Sequence, residues 1–390
     1  MAIKVGIAGK RGTSFLQGLR GSPEVELVAM CDTNEATLKQ SLEEHSIPRG
    51  FCDYSEMLAH VDAVIVATPM QLHAMQAIEA MNAGKHVLSE VTACVTLEEC
   101  WMLVDAVERN PSTYMLSENY CYFKENILVR EMAKKGLFGD LYYGEGEYLH
   151  DVKSMHHNED GSPTWRSYWQ VGQNGNTYPT HSLGPVMQWF WAMDPTDRPE
   201  SVVCMGTGRH TDPEHPHDDS SITLVKLKSG KMIRLRLDMM SNRPHQAGYY
   251  ALQGTQGVYE ASRVSGQTGN VWIGENPAPG PTPDTDRKWT PLTEFEQHLP
   301  DEIKNPSKEA LLAGHGGGDY FVVRDFVDAI QGRRSNPIDV YAAVEWTAVG
   351  LCSQVSISNG SVPIRVPNFR DPSERPITVP NTCRTSLDSI

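Results

Sequence analysis

The chain has eight cysteines, at positions 31, 52, 94, 100, 121, 204, 352 and 383, but no Cys-x-x-Cys pair. Thiols scattered in this way argue against a disulfide framework or a zinc ribbon and suit a reducing compartment. No apolar run approaches the ~20 residues that cross a bilayer. Positive charge is scarce, with 34 Lys and Arg against 49 Asp and Glu and a net charge of −15. That field repels phosphate backbones and anionic lipid, so neither nucleic acid nor a membrane is an expected partner. Repeats and low-complexity tracts are also missing. The opening residues, MAIKVGIAG, read as a buried strand without a signal-peptide layout, and a cytoplasmic location is expected. What is present is an ordinary globular mixture, 39% apolar and 21% charged over 390 residues. That length suits two packed domains at roughly 150 residues each.

Over the first 120 residues, short β-branched runs alternate with helical patterns. Ile3–Ala8, Val25–Cys31, Ala63–Ala67, His86–Ser89 and Thr113–Ser117 read as strands. Asn34–Glu43, Leu72–Ala83 and Leu97–Val107 carry apolar residues at helical spacing, and Thr96 with Glu99 forms a capping box. The alternation predicts a doubly wound parallel sheet covered on both faces. After Tyr120 the pattern changes to one helix over Glu125–Lys135 and then longer strands, Leu141–Leu149, Ser221–Leu227, Met232–Met239 and Tyr249–Gln253. These predict an α+β domain with an open, largely antiparallel sheet. Helices are expected again at Asp319–Ile330 and Val340–Ser356, and a surface loop at Gly274–Asp286. The expected organisation is a domain over 1–122, a second over 123–366 and an extended tail over 367–390.

The first strand leads into Gly9-Lys10-Arg11-Gly12-Thr13-Ser14, where a dinucleotide fold places a tight turn and a helix N-terminus facing pyrophosphate. The glycine pattern is incomplete, because Arg11 and Ser14 replace its second and third glycines. Arg11 either hinders close backbone approach or touches phosphate itself. Asp32 ends the second strand, where a carboxylate binds both ribose hydroxyls and repels a 2′-phosphate. The fold class expected is therefore α/β, an N-terminal Rossmann sheet plus the α+β domain, with NAD favoured over NADP. The competing reading is a nucleotide-free scaffold in which Asp32 caps a helix.

The string DAVIVATPMQLHAMQAIEAMNAGKHVLSE, residues 62–90, resembles the Gfo/Idh/MocA oxidoreductases. The resemblance implies that Thr68, Pro69, Gln71 and His73 lie beside the cofactor, with Glu90 near its nicotinamide end. The chain then departs from most of that family. Val91 and Thr92 stand where Lys-Pro is usual. In GNTYPTHSLGP, residues 175–185, His181 is kept but Thr177 takes the place of an aspartate. Neither Val91 nor Thr177 can serve as a general base.

These departures, with SEVTACVTLEECWMLVDA, LSENYCY, GLFGDLYYGEGEYLHD, Trp165-Arg166 and GHGGGDY, resemble the NAD-dependent glycosidases of glycoside hydrolase family 109 and their sulfoquinovosidase relatives. That resemblance implies a redox-neutral glycoside hydrolysis. Carbon 3 of the sugar is transiently oxidised, the acidified carbon-2 proton is lost, the aglycone leaves, water adds and the ketone is re-reduced. By similarity His181 handles the carbon-3 hydroxyl and Tyr178 the carbon-2 proton, and Tyr178 also contacts substrate. A phenol is a poor base at neutral pH unless positive charge lowers its pKa, and NAD+ and Arg166 are candidate sources. Asn119 resembles a cofactor contact, as Val91 does after Glu90, while Tyr148 and Arg166 resemble substrate contacts. Arg243-Pro244-His245 departs from the usual Arg-Pro-Tyr. No metal is expected, because His156-His157 and His210, His215 and His217 with Asp218 lack established ligand spacings. His315 is read as structural, holding a glycine-rich turn near the second sheet. The alternative activity is a sugar dehydrogenase releasing a keto sugar and NADH, and a third reading is a non-catalytic sugar or nucleotide sensor. The open sheet is expected to leave an apolar face that a second copy covers, giving a homo-oligomer.

Overall fold

A computed structural model describes residues 2–212, 214–244, 246–264, 266–274 and 288–376. Six parallel strands form the first sheet: β1 (Ile3–Ala8), β2 (Val25–Cys31), β3 (Gly50–Phe51), β4 (Ala63–Val66), β5 (His86–Ser89) and β6 (Tyr114–Leu116). Their order is β3-β2-β1-β4-β5-β6. Val64, Ile65 and Val66 are fully buried, as a strand covered on both faces requires. The strand order reverses between β1 and β4, and a crevice for ligand opens at the strand C-termini beside such a reversal. On the helix Leu97–Arg109, Thr96 accepts from Glu99 N at 3.1 Å. Glu99 in return reaches Val95 N at 2.8 Å, one residue further back than a standard box.

The second sheet has nine strands: β7 (Leu141–Leu149), β8 (Pro199–Gly206), β9 (Ser220–Leu227), β10 (Met232–Asp238), β11 (Gln246–Gly254), β12 (Gly257–Glu260), β13 (Asn270–Ile273), β14 (Thr290–Pro291) and β15 (Ile364–Arg365). The order is β14-β13-β12-β11-β7-β10-β9-β8-β15, antiparallel throughout except for the β7–β10 pair. The helix Pro179–Trp191 lies on β7, β10 and β11. Gly146 permits this contact, since a Cβ there would stand 2.0 Å from Ser182 O.

Two later helices return toward the first sheet. Val340–Ser358 packs on β8 and against Leu97–Arg109, and Gly318–Ile330 packs on the helix Leu16–Arg20. The tail is tied down as far as residue 376. Phe369 is buried with its ring 4.7 Å from Trp101, and Arg370 Nε donates to Glu345 at 3.1 Å. The expected loop lies outside the described residues beyond Gly274, as does His245. The outward face of the second sheet is part apolar and part charged. It carries a charged ladder in which Arg234 bridges Glu145 and Glu147, and Arg263 pairs with Glu147 at 3.0 Å. Exposed Met205, Leu224 and Met232 accompany that ladder.

Candidate functional site

A cleft of about 760 Å³ runs from the C-terminal ends of β1 and β2 to the helix Pro179–Trp191. Gly9, Arg11, Asp32, Thr68, Pro69, His73, Glu90, Val91, Asn119, Tyr148, Arg166, Tyr178 and His181 all line it. Gly12, Ser14 and Gln71 do not. Gly12 is packed so tightly that a Cβ would meet Ile7 at 2.5 Å. The turn after Gly9 is a 3₁₀ segment, Lys10–Phe15, in place of the expected α-helical N-terminus. At three residues per turn, Ser14 stands one turn behind Arg11. Gln71 is carried by the short turn Met70–Leu72.

The cofactor end is built from backbone approach and a few held polar groups. Gly9 has φ 88°, and a Cβ on it would lie 2.5 Å from Ala67 O, so only glycine fits. Asp32 accepts from Lys10 N at 3.2 Å and Asn34 N at 2.9 Å. It does not cap the following helix; Asn34 does, accepting from Thr37 N at 3.0 Å. Arg11 turns across the cleft and pairs with Glu90 at 3.0 Å, and Glu90 raises its pKa. His73 places Nδ1 2.9 Å from Thr92 O and Nε2 2.7 Å from Thr68 O. Its ring thus braces two cleft loops against each other, and burial lowers its pKa.

Asn119 donates from Nδ2 to Asp319 at 2.8 Å, while its Oδ1 is buried without a partner. Burial alone would raise the Asp319 carboxyl, but His315, Asn119 and Arg11 hold it below the usual range. His315 has φ 53° and lies 3.0 Å from Asp319, lining the cleft beside Tyr120. It therefore belongs to this cleft, and the expected position near the second sheet is corrected. These residues fit a dinucleotide. Gly9 leaves backbone open to close approach, Asp32 offers a carboxylate at the end of β2, and Asn119 keeps a spare acceptor inside the cleft.

At the other end, Pro179 starts the helix Pro179–Trp191 and Tyr178 is the residue before it. The Tyr178 and His181 rings are 5.9 Å apart and nearly parallel, at 23°. His181 is stacked on Tyr120 at 4.1 Å and meets Tyr148 edge-on at 4.8 Å. Its Nδ1 lies 2.9 Å and 3.1 Å from the two oxygens of Glu118, a fully buried carboxylate just beyond β6. With Nδ1 donating to Glu118, Nε2 is left as the basic nitrogen. Sequence reasoning missed Glu118 although it adjoins Asn119. The signal available was a carboxylate directly after a buried strand end. Thr177, at the aspartate position, donates only to Met239 Sδ, at 3.7 Å.

Arg166 Nη2 donates to the Tyr178 hydroxyl at 3.4 Å and its guanidinium lies 4.4 Å from the Trp165 ring centre. Burial pushes the Tyr178 phenol up, and Arg166 opposes that push without reversing it. Next to the cleft, the His156 and His215 rings lie 4.4 Å apart and those of His215 and His217 6.1 Å. Burial and the neighbouring His215 lower His156 to about 4. Among the described residues no three His, Cys, Asp or Glu side chains converge as a metal site. No helix among them is long and apolar enough to cross a membrane.

Comparison with known proteins gives two family matches. Residues 3–118 match the oxidoreductase family with an NAD-binding Rossmann fold, and residues 122–373 match the glycosyl hydrolase 109 C-terminal domain. An alpha-N-acetylgalactosaminidase of Shewanella oneidensis is 32% identical, covering 94% of this chain and 85% of that protein. A glycosyl hydrolase family 109 protein of Shewanella putrefaciens is 31% identical with the same coverage. Among solved structures, levoglucosan dehydrogenase in complex with NADH aligns with a TM-score of 0.77 at 17% identity, over 94% of this chain and all of that one. A dehydrogenase from Bordetella pertussis in complex with NADH and UDP-GlcNAcA aligns with a TM-score of 0.73 at 21% identity, over 94% and 98%. At such identities these two structures speak for the fold.

Proposed function

The chain belongs to glycosyl hydrolase family 109 and binds NAD, and from that premise we propose that it is a redox-neutral glycosidase acting by transient oxidation at carbon 3 of a sugar. The observation that carries this reading is the pairing of Tyr178 with His181 in one cleft, with Glu118 behind the imidazole and Arg166 on the phenol. The chemistry that NAD supplies when bound is reversible hydride acceptance from carbon 3. His181 Nε2 takes the carbon-3 hydroxyl proton, and Glu118 fixes the tautomer that leaves this nitrogen free. The Tyr178 phenolate takes the carbon-2 proton once carbon 3 is a ketone. Arg166 stabilises that phenolate by charge, and the buried cleft strengthens the effect. Loss of the carbon-2 proton lets the C1–O bond break, and water then adds at carbon 1.

Support also comes from the absences at Val91 and Thr177. Without a lysine after Glu90 and an aspartate before His181, the chain lacks the usual dehydrogenase base set but keeps a second base beside the first. The Shewanella oneidensis relative is named for alpha-N-acetylgalactosaminide cleavage, so an α-N-acetylgalactosaminide is our first substrate, with sulfoquinovosides next. The test incubates the protein with NAD+ and nitrophenyl glycosides of both sugars while nitrophenol and NADH absorbance are followed together. Nitrophenol release without stoichiometric NADH is expected. NADH accumulating one-for-one with a keto sugar would make the chain a sugar dehydrogenase instead.

A further inference from the structure

A histidine base works only if one nitrogen is free and that nitrogen is aimed. Glu118 settles which nitrogen, because Nδ1 of His181 lies 2.9 Å from its Oε1. The aim is a separate matter, since an imidazole turns about its Cβ–Cγ bond in a broad energy well. One hydrogen bond at Nδ1 leaves the ring free to rock about that contact and carry Nε2 sideways. The backbone beneath it is fixed, with the Tyr250 hydroxyl donating to His181 O at 2.6 Å. Gly184 brings the helix Pro179–Trp191 close to the carboxylate, where a Cβ would stand 3.1 Å from Glu118 Cγ. The plane of the imidazole still needs a support of its own.

Tyr120 stands two residues after Glu118, in the 3₁₀ turn Asn119–Tyr122. Its N–H donates at 3.1 Å to Glu118 Oε1, the same oxygen that meets His181. One short turn therefore presents both a carboxylate and an aromatic face to the imidazole. The Tyr120 ring lies 4.1 Å from that of His181, with only 17° between the planes. Tyr148 closes the cluster edge-on to both, 4.8 Å from His181 and 5.8 Å from Tyr120. Tyr120 is itself buried and held, with Phe123 at 4.5 Å and Asn126 Nδ2 donating to its carbonyl at 2.8 Å. Burial, reinforced by Tyr148 and Glu118, raises its phenol well above the ordinary value, so the hydroxyl is a poor base. We propose that Tyr120 is a positioning residue for the carbon-3 step, its ring face setting the plane of the His181 imidazole so that Nε2 stays aimed at the carbon-3 hydroxyl. The role belongs to the ring and not to the hydroxyl. It deepens the proposed function and rests on His181 as the carbon-3 base. Aim matters because a misplacement of about 1 Å costs on the order of 100-fold in rate.

The test compares Tyr120→Phe, which keeps the flat face, with Tyr120→Met, which fills the space without one. Tyr120→Leu replaces the second variant should it fail to fold. Tyr120→Phe should hold kcat on a nitrophenyl glycoside within about twofold of the unaltered protein. Tyr120→Met should lose about tenfold or more, with KM and NAD affinity moved far less. Substrate deuterated at carbon 3 adds a readout that a merely structural role would not move. Its isotope effect on kcat should grow in Tyr120→Met, because the carbon-3 step then limits turnover, and stay unchanged in Tyr120→Phe. Equal losses in the two variants, a loss confined to KM, or an isotope effect that does not move would each overturn the assignment. Failure of the glycosidase reading shows separately, as NADH accumulating one-for-one with keto sugar in the unaltered protein. A dehydrogenase would need the same aimed base, so the contrast between the two variants would then be read on NADH formation.

Discussion

His181 is held by a carboxylate from a different element than its relatives' motif would suggest. Thr177 stands four residues before it where an aspartate is usual, and the fold delivers Glu118 from the end of β6. Glu118→Gln keeps the volume but removes the charge that fixes the imidazole tautomer. The expected result is a fall in kcat of about 100-fold or more, with the melting temperature little changed. Unchanged kcat would show that Glu118 has only a packing role. The second base makes a pH prediction. Burial holds the Tyr178 phenol above its ordinary pKa, with Arg166 opposing. The phenolate therefore grows as pH rises, and kcat/KM for a dinitrophenyl glycoside should still be climbing at about pH 10, the ordinary tyrosine value. Arg166→Gln removes the opposing charge and should move that climb to higher pH. The sequence showed the Tyr178 and His181 pair, because both lie in one short string. It could not show Glu118 or Asp319, because their partners are 63 and 200 residues away and only the fold makes them neighbours.

Regular elements with a strong pattern were legible in the sequence. β1, β2, β5 and β7 begin and end where the sequence pattern places them, and the helix at Leu97 is fixed by its Thr96 cap. β12 and β13 carry no comparable signal, since each is four residues long and takes its order from neighbouring strands. The turn after β1 was also hard to read. Arg11 and Ser14 break the glycine pattern, and the chain responds with a 3₁₀ segment and an Arg11–Glu90 bridge across the cleft. Gly9 still has an absolute requirement, with positive φ and no space for a Cβ. Gly9→Ala is expected to lower unfolding free energy on the order of 1–3 kcal/mol. It should also weaken NAD binding, measured by urea titration and by calorimetry. Retention of both quantities would contradict the close packing against Ala67.

At the scale of the molecule, the helix Val340–Ser358 ties the two sheets together and buries Glu345 against Arg370 of the tail. Burial raises the Glu345 carboxyl to about 7 from 4.5, with Arg370 opposing. Between those values the folded protein holds a proton that the unfolded chain has lost, so this group's contribution to stability falls as pH rises through that range. Glu345→Gln should remove that decline, gaining on the order of 1–3 kcal/mol relative to the unaltered protein at about pH 8. An identical pH dependence of stability in both proteins would contradict the buried, proton-binding carboxyl. We propose a domain division at residues 122 and 123 and self-association through the outward face of the second sheet. That face carries exposed Leu224 beside the Arg234 ladder. Leu224→Glu should convert an oligomer to monomer in sedimentation, and an unchanged mass would place any interface elsewhere.

The central claim is that one cleft oxidises carbon 3, removes the carbon-2 proton and then reverses the oxidation. It is tested most directly by running hydrolysis of a nitrophenyl glycoside in deuterium oxide and examining the released sugar by NMR. The account predicts solvent deuterium at carbon 2, retained hydrogen at carbon 3, and loss of both exchange and turnover in Tyr178→Phe. A hydrolysed sugar that keeps its original hydrogen at carbon 2 would contradict it.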